Sequence, residues 1–301
     1  MEKKLIVITG GAGFLMRNFI EDYGDRYDII APRSTEVNWV TGHGVKQLPK
    51  NPDILIHSAG IYGGLVFSQK YPEKILLDNA RIGANLFEYI IDSQPRKFIS
   101  VGSGCAYPGN ATGVLSESMI GSGRMEKTVE LYALSKLWML SASERLLDNW
   151  THLVPANMYG PYDHTELGRS HVTSALIHKF LDAKNNNTDV KLLGTGEAYR
   201  SLTFVKDTCD VINYFVLNDG INGAINVGHD AGITIKEMAQ TIADIVGFKN
   251  NIIWGSAADN GALMKVLDYT KLDQIYPLRK KTSLVDGLRS AIHYVEKNTV
   301  T

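Results

Sequence analysis

The stretch Leu5-Ile-Val-Ile-Thr-Gly-Gly-Ala-Gly-Phe14 decides the fold. Its apolar run passes directly into glycines, which reads as a buried strand ending in a tight turn that opens a helix. Gly10 and Gly13 have the spacing of a dinucleotide-binding turn. In such a turn a pyrophosphate lies against free backbone N–H groups at the positive end of a helix dipole. The third glycine of the pattern is replaced by Met16, at a point where close packing of helix on strand usually leaves no room for a side chain.

Downstream of this unit, strand-like runs (YDIIA, DILIH, KFISV, THLVPAN, VKLL, AINVG) alternate with helix-like segments. The clearest helices are Pro72–Asp92, Leu131–Asn149, Val172–Lys184, Val205–Leu217 and Ile235–Val246. Such alternation predicts an α/β fold built of βαβ units, with a parallel, doubly wound sheet covered on both faces. The pattern is unbroken to about Pro155. Asn185–Asn187 reads as a short polar loop; beyond Pro155 the elements read as sparser and the loops as longer, which suggests a smaller domain completing a cleft.

Composition narrows the partners. The chain has 301 residues, 44% of them hydrophobic, enough to bury a large core. A net charge of −1 with 21% charged residues leaves no basic footprint for nucleic acid, so small molecules are the expected partners. The apolar run near the amino terminus is too short for a signal peptide or a membrane span, which points to the cytosol. Two cysteines, Cys105 and Cys209, form neither a disulfide framework nor a CxxC pair, and no HExxH is present, so no metal is expected.

The second strand speaks to cofactor choice. Sites for NAD present an acidic residue at that strand's end to hold the ribose hydroxyls. This chain reads YDIIAPRSTE, with Ala31 and Pro32 in that place and Arg33 and Ser34 just after. A cation and a hydroxyl suit a 2′-phosphate, which favours NADP(H) over NAD(H); the alternative is that Arg33 is a solvated loop residue.

The catalytic candidates come from two further segments. In LYALSKLWML, Tyr132 and Lys136 stand four apart and share one helix face. A second YxxxK, Tyr276 to Lys280, contains a proline and is a poor helix. Ser103 follows the fourth strand, where an open α/β sheet binds ligands at its carboxyl edge. An ammonium about 5–6 Å from a phenol, at an effective dielectric near 20, is worth about 3 kcal/mol, or roughly two pKa units. Tyr132 would then exchange a proton with a carbonyl or alcohol oxygen, and Ser103 would hydrogen-bond the same oxygen. Cys105 lies in that serine loop, between Gly104 and Ala106. Free cysteine is commonly a core filler, but this loop position favours a reactive thiol, whereas Cys209 on an apolar helix face reads as core.

Taken together, GGAGF, DILIHSAG, the Ser103 loop, YALSK and PANMYGP resemble the extended short-chain dehydrogenase/reductase family, the NAD(P)-dependent epimerases and dehydratases of nucleotide sugars. Within it, AGIYGGLVFSQKYPEKILLDN, GSGCAYP, SHVTSALIHKF, LLGTGEAYRSLTFVKD and MKVLDYTKL are similar, in order, to the branch that epimerises and reduces GDP-4-keto-6-deoxymannose. The resemblance implies an acid–base pair in Cys105 and His171. The 4-keto group acidifies the hydrogens on carbons 3 and 5; one residue removes a proton and the other returns one to the opposite face. A thiol with a pKa near 8.5 and an imidazole near 6.5 bracket neutral pH, where two-way proton transfer works best. Taken without the resemblance, His171 would read as a polar residue at a helix start. His57 is expected to shape the cofactor cleft through its backbone and not to serve as acid or base.

The resemblance further implies cofactor contacts at Gly10, Gly13, Phe14, Leu15, Arg33, Ser34, Ala59, Gly102, Lys136, Pro155, Asn157, Met158 and His171. Substrate contacts fall at Lys179, Leu193, Arg200 and Asn260. The first two depart from the branch, which has an arginine and a tryptophan there, and Asn260 stands near an expected aspartate. Lysine cannot supply a bidentate diphosphate clamp, so the reaction type transfers more firmly than the sugar or the base. A Rossmann-type domain of residues 1–158 plus about 201–228 is implied, with a smaller C-terminal substrate-binding domain of about 159–200 and 229–301. A homodimer paired through the helices Pro72–Asp92 and Leu131–Asn149 is implied as well. The resulting expectation is an NADPH-dependent epimerase–reductase of a nucleotide-linked 4-keto-6-deoxy sugar. The alternatives are a 4-reductase, 4-epimerase or dehydratase in which Cys105 is idle, and an NADP(H)-sensing binding protein on the same fold.

Overall fold

The computed structural model describes residues 2–63, 65–164, 171–229, 232–257 and 264–299. The first half runs β1 (Leu5–Thr9), α1 (Phe14–Tyr23), β2 (Asp28–Ile30), β3 (Ile54–His57), α2 (Leu65–Lys70), α3 (Pro72–Ser93), β4 (Lys97–Val101), β5 (Val114–Leu115), α4 (Glu130–Leu146) and β6 (Trp150–Pro155). There follow β7 (Asn157–Tyr159), α5 (Val172–Asn186), β8 (Val190–Leu192), β9 (Tyr199–Arg200), β10 (Leu202–Phe204), α6 (Val205–Leu217) and β11 (Gly223–Val227). The last stretch is β12 (Ile233–Thr234), α7 (Ile235–Val246), β13 (Ile252–Trp254), β14 (Met264–Leu267), α8 (Thr270–Ile275) and α9 (Leu284–Thr299).

Six parallel strands form the central sheet in the order β11-β6-β4-β3-β1-β2. Alternate side chains of each strand go to opposite faces. Ile6, Ile8, Ile54, Ile56, Ile99 and Val101 pack with α1 and α6 in one core. Val7, Leu55 and Phe98 pack with α3 and α4 in another. Both faces are thus apolar, as a sheet covered on both sides requires. The chain passes from β1 out to β2 and back to β3 on the other side of β1, so the order reverses between β1 and β3. A crevice opens outside the carboxyl ends of the strands at such a point.

The turn after β1 is built as its glycines require. Gly10 has φ +73°, the left-handed region, and a Cβ there would come within 2.8 Å of the Ala59 backbone nitrogen. Met16 is fully buried in the core shared by α1 and α6, where the missing third glycine is absorbed by packing.

A separate core joins α5, α7 and α9 to β8 and β10 through Leu176, Phe180, Ile242 and Leu288. Elements here are not sparser than in the first half, contrary to expectation; several are two or three residues long and carry too little periodicity to be read. The expected run THLVPAN is two strands. Its chain leaves the central sheet after Pro155, and β7 pairs with β10 instead. The helix expected to end at Lys184 continues through Asn186, with Asn187 as a left-handed cap at φ 51°, so Asn185–Asn187 is not a loop. Conversely α4 stops at Leu146, because Leu147 is extended on the way into β6. Among the described residues no helix is long and apolar enough to cross a membrane, and no cluster of three or more metal-ligating side chains occurs.

Candidate active site

A cavity of about 300 Å³ opens at the carboxyl edge of the central sheet. Its floor is the start of α1 (Gly13, Phe14, Leu15) and the loop after β3 (Ser58, Gly60, Tyr62). Val101 to Cys105 form one wall, Pro155 to Met158 the next, and Tyr132, Lys136, His164 and His171 close it. Three chain segments far apart in sequence therefore bring Ser103 and Cys105, Tyr132 and Lys136, and His171 to one space.

Each side chain is held by local geometry. Ser103 caps a short 3₁₀ turn, Gly104–Ala106, and its Oγ accepts the Cys105 N–H at 3.2 Å. That leaves its own O–H to donate into the cavity. Cys105 is partly exposed on this turn. Lys136, on the inner face of α4, is buried, and its Nζ donates to the Val101 carbonyl at 2.9 Å. The ammonium stands 5.5 Å from the centroid of the Tyr132 ring.

Electrostatics modifies the sequence-based expectation for this pair. Burial pushes the Tyr132 phenol well above its usual range, and the neighbouring Cys105 and Tyr62 push the same way. The expected lowering by Lys136 is outweighed, because the ammonium is bonded to a carbonyl and is itself drawn down to about 8 by burial, against the opposing pull of Cys105. Tyr132 is therefore held as a phenol, a proton donor. Two buried histidines flank the lysine. Burial, then the charge of Lys136, holds His57 well below its usual range, and its Nδ1 lies 2.7 Å from Thr9 Oγ1. Burial and Lys136 depress His152 to about 3, beside Ser100 Oγ at 2.8 Å. Both are neutral struts.

His171 behaves differently. It precedes α5, and its Nδ1 lies 2.9 Å from Oδ1 of the buried Asp163. Burial alone would lower its pKa, but the hydrogen bond and charge of Asp163 outweigh that and raise it. The Tyr62 ring lies 4.6 Å from that of Tyr132 and 6.3 Å from that of His171.

Of the expected cofactor contacts, Gly13, Phe14, Leu15, Gly102, Lys136, Pro155, Asn157, Met158 and His171 line the cavity. Gly10 and Ala59 lie against each other beneath it. Arg33 and Ser34 are exposed beyond the end of β2, where the Arg33 N–H donates to Glu36 at 2.8 Å. Gly13 is the amino-terminal cap of α1 and makes no side-chain capping bond, so the first N–H groups of a ten-residue helix open onto the cavity. This cradle fits a dinucleotide pyrophosphate. Among the expected substrate residues, Lys179 donates to the Lys191 carbonyl, Leu193 is 79% exposed, and Arg200 donates to the Tyr199 carbonyl; none lines this cavity. Asn260 lies outside the described residues. Sequence reading missed Tyr62, His164 and Asp163. Tyr62 follows β3 by five residues, a place the carboxyl-edge rule covers, whereas nothing local marks Asp163.

The family model for the NAD dependent epimerase/dehydratase family matches residues 6–228. GDP-L-colitose synthase of Yersinia pseudotuberculosis is 31% identical over 97% of this chain and 99% of its own. GDP-L-fucose synthase of Escherichia coli (strain K12) is 28% identical, over 99% and 98% respectively. Among solved structures, a GDP-L-fucose synthetase from Naegleria fowleri bound to NADP superposes with a TM-score of 0.88 at 21% identity, covering 100% of this chain and 95% of that one.

Proposed function

This chain belongs to the NAD dependent epimerase/dehydratase family, and from that premise we propose that it is an NADPH-dependent epimerase–reductase of a nucleotide-linked 4-keto-6-deoxy sugar, GDP-4-keto-6-deoxymannose being the first substrate to test. The observation that carries the reading is the convergence of Ser103, Cys105, Tyr132, Lys136 and His171 on one cavity beside the uncapped start of α1. NADP(H) would be held by that helix start and by Lys136, with Arg33 and Ser34 facing the 2′-phosphate. When bound, the reduced nicotinamide supplies the hydride.

The chain's own groups divide the remaining work. Cys105 takes a proton from the carbon next to the keto group, leaving an enolate whose oxygen accepts from the Ser103 hydroxyl. His171, its pKa raised, returns a proton to the opposite face. After carbons 3 and 5 are inverted, Tyr132 gives its proton to the carbon-4 oxygen as reduction occurs. A thiol in this role must stay reduced, which supports a cytosolic location. The Rossmann-type unit of 1–158 with about 201–228 would carry the cofactor, and the remainder, with Lys179, Leu193, Arg200 and Asn260, the nucleotide. A homodimer through α3 and α4 is supported by the half-exposed Leu77 and Leu134 on these helices.

A 4-reductase without epimerisation is favoured by one observation: the Tyr62 ring fills space beside both Tyr132 and His171. Incubating the 4-keto sugar in heavy water without NADPH separates the two. Epimerisation predicts deuterium at carbons 3 and 5, retained in Tyr132→Phe while NADPH consumption falls by about 100-fold or more, and slowed as much in Cys105→Ser. No deuterium in the wild type would leave the reductase.

A further inference from the structure

We propose that Asp163 is the positioning residue for proton return by His171, turning Nδ1 of the imidazole toward its carboxylate so that Nε2 faces the cavity. The inference rests on the reading of His171 as an acid.

The loop that carries Asp163 is built to hold one carboxylate in one place. Tyr162 adopts φ +68°, a left-handed conformation that a bulky residue keeps only where its surroundings impose it. Here the Arg17 guanidinium lies 3.9 Å over the Tyr162 ring, and Tyr294 of α9 packs edge-on at 4.9 Å. Asn18, fully buried on α1, donates to the carbonyls of Phe14 at 2.9 Å and Pro161 at 2.8 Å. The helix whose start faces the phosphate cradle thus also fixes the loop behind His171.

Asp163 is 8% exposed. Its Oδ1 receives His171 Nδ1 and the His164 N–H at 2.8 Å, while its buried Oδ2 has no hydrogen-bond partner among the described residues. The titratable neighbours are His164 on the same loop, His178 two turns further along α5, Tyr62 after β3, and Cys105 in the serine loop. Burial keeps His178 below its usual value in spite of Asp163, so it does not compete for the carboxylate as a cation. In the step itself the Nε2–H bond breaks as the C–H bond forms. The imidazole becomes neutral with Nδ1–H still on Asp163, the carboxylate takes up no proton, and solvent reprotonates Nε2.

The test compares wild type, Asp163→Asn and Asp163→Glu by NMR titration of the His171 ring and by the pH dependence of deuterium exchange into the 4-keto sugar. In Asp163→Asn the His171 midpoint falls, the alkaline limb of exchange moves to lower pH with it, and the maximal rate drops about 10–100-fold with little change in substrate affinity. Asp163→Glu retains the charge but displaces it by a methylene; its midpoint stays raised and exchange recovers partway. Exchange at the wild-type rate with an unshifted limb in Asp163→Asn overturns the proposal. If Asp163→Asn does not fold, wild-type exchange in Asp163→Glu overturns it equally. Absence of exchange in the wild type defeats the epimerase reading instead, while the His171 titration still reports whether Asp163 holds the ring.

Discussion

Lys136 keeps its charge only narrowly in this cavity. Burial brings it to about 8, and two neutral histidines, His57 and His152, line its flank. As pH rises through that value the ammonium becomes a neutral amine, which still donates to Val101 but no longer places a positive charge beside Tyr132. Reduction of a substrate already epimerised is therefore expected to fall with a single alkaline limb near pH 8, measured as kcat/KM from NADPH oxidation. Cys105→Ser should keep that limb but move it to lower pH, since the limb belongs to the amine and the upward pull of Cys105 on it is removed. The residue types of this site were legible from motif and chain order: Tyr132 and Lys136 from helical spacing, Ser103 and Cys105 from the strand end. The state of the phenol was not, because pairwise attraction can be guessed from spacing while desolvation depends on everything packed around the ring.

At the level of elements, the site depends on how α4 seats against α3. Trp138 lies across Gly83 so closely that a Cβ there would stand 1.8 Å from the indole, and the indole also meets Phe87 edge-on at 5.7 Å. Gly83→Ala must displace the indole or the helix that carries Tyr132 and Lys136. A loss of about 1–3 kcal/mol is expected, read as a lower denaturation midpoint. Shrinking the partner in Gly83→Ala/Trp138→Leu should recover part of it, since neighbours in contact are not additive. Long elements were legible end to end. Val205–Leu217 and Ile235–Val246 match their expected bounds, the latter with a Thr234–Glu237 capping box. The two-residue strands β5, β9 and β12 were not legible, because they exist by pairing with distant partners and carry no period of their own.

Over the whole molecule, burial of amines makes stability depend on pH. Lys97 is fully buried under the sheet, its Nζ donating to the Asn218 carbonyl, and burial lowers it to about 8 from 10.5. Between those values the unfolded chain binds a proton that the native chain releases, so unfolding free energy rises with pH across the window. Denaturant titrations at pH 7.5 and 9.5 should show that rise, and Lys97→Met should make it shallower; an unchanged slope would assign the effect to other groups. The order of strands and helices, the phosphate turn and the phenol–amine helix were determined by the sequence alone, since hydrophobic period, glycine placement and i, i+4 spacing are local properties of a chain. The pairing of His171 with Asp163, the intrusion of Tyr62 and the neutral histidines around Lys136 were decided only by the tertiary structure. They depend on which segments come to share one dry, low-dielectric space, and no short stretch of residues carries that information.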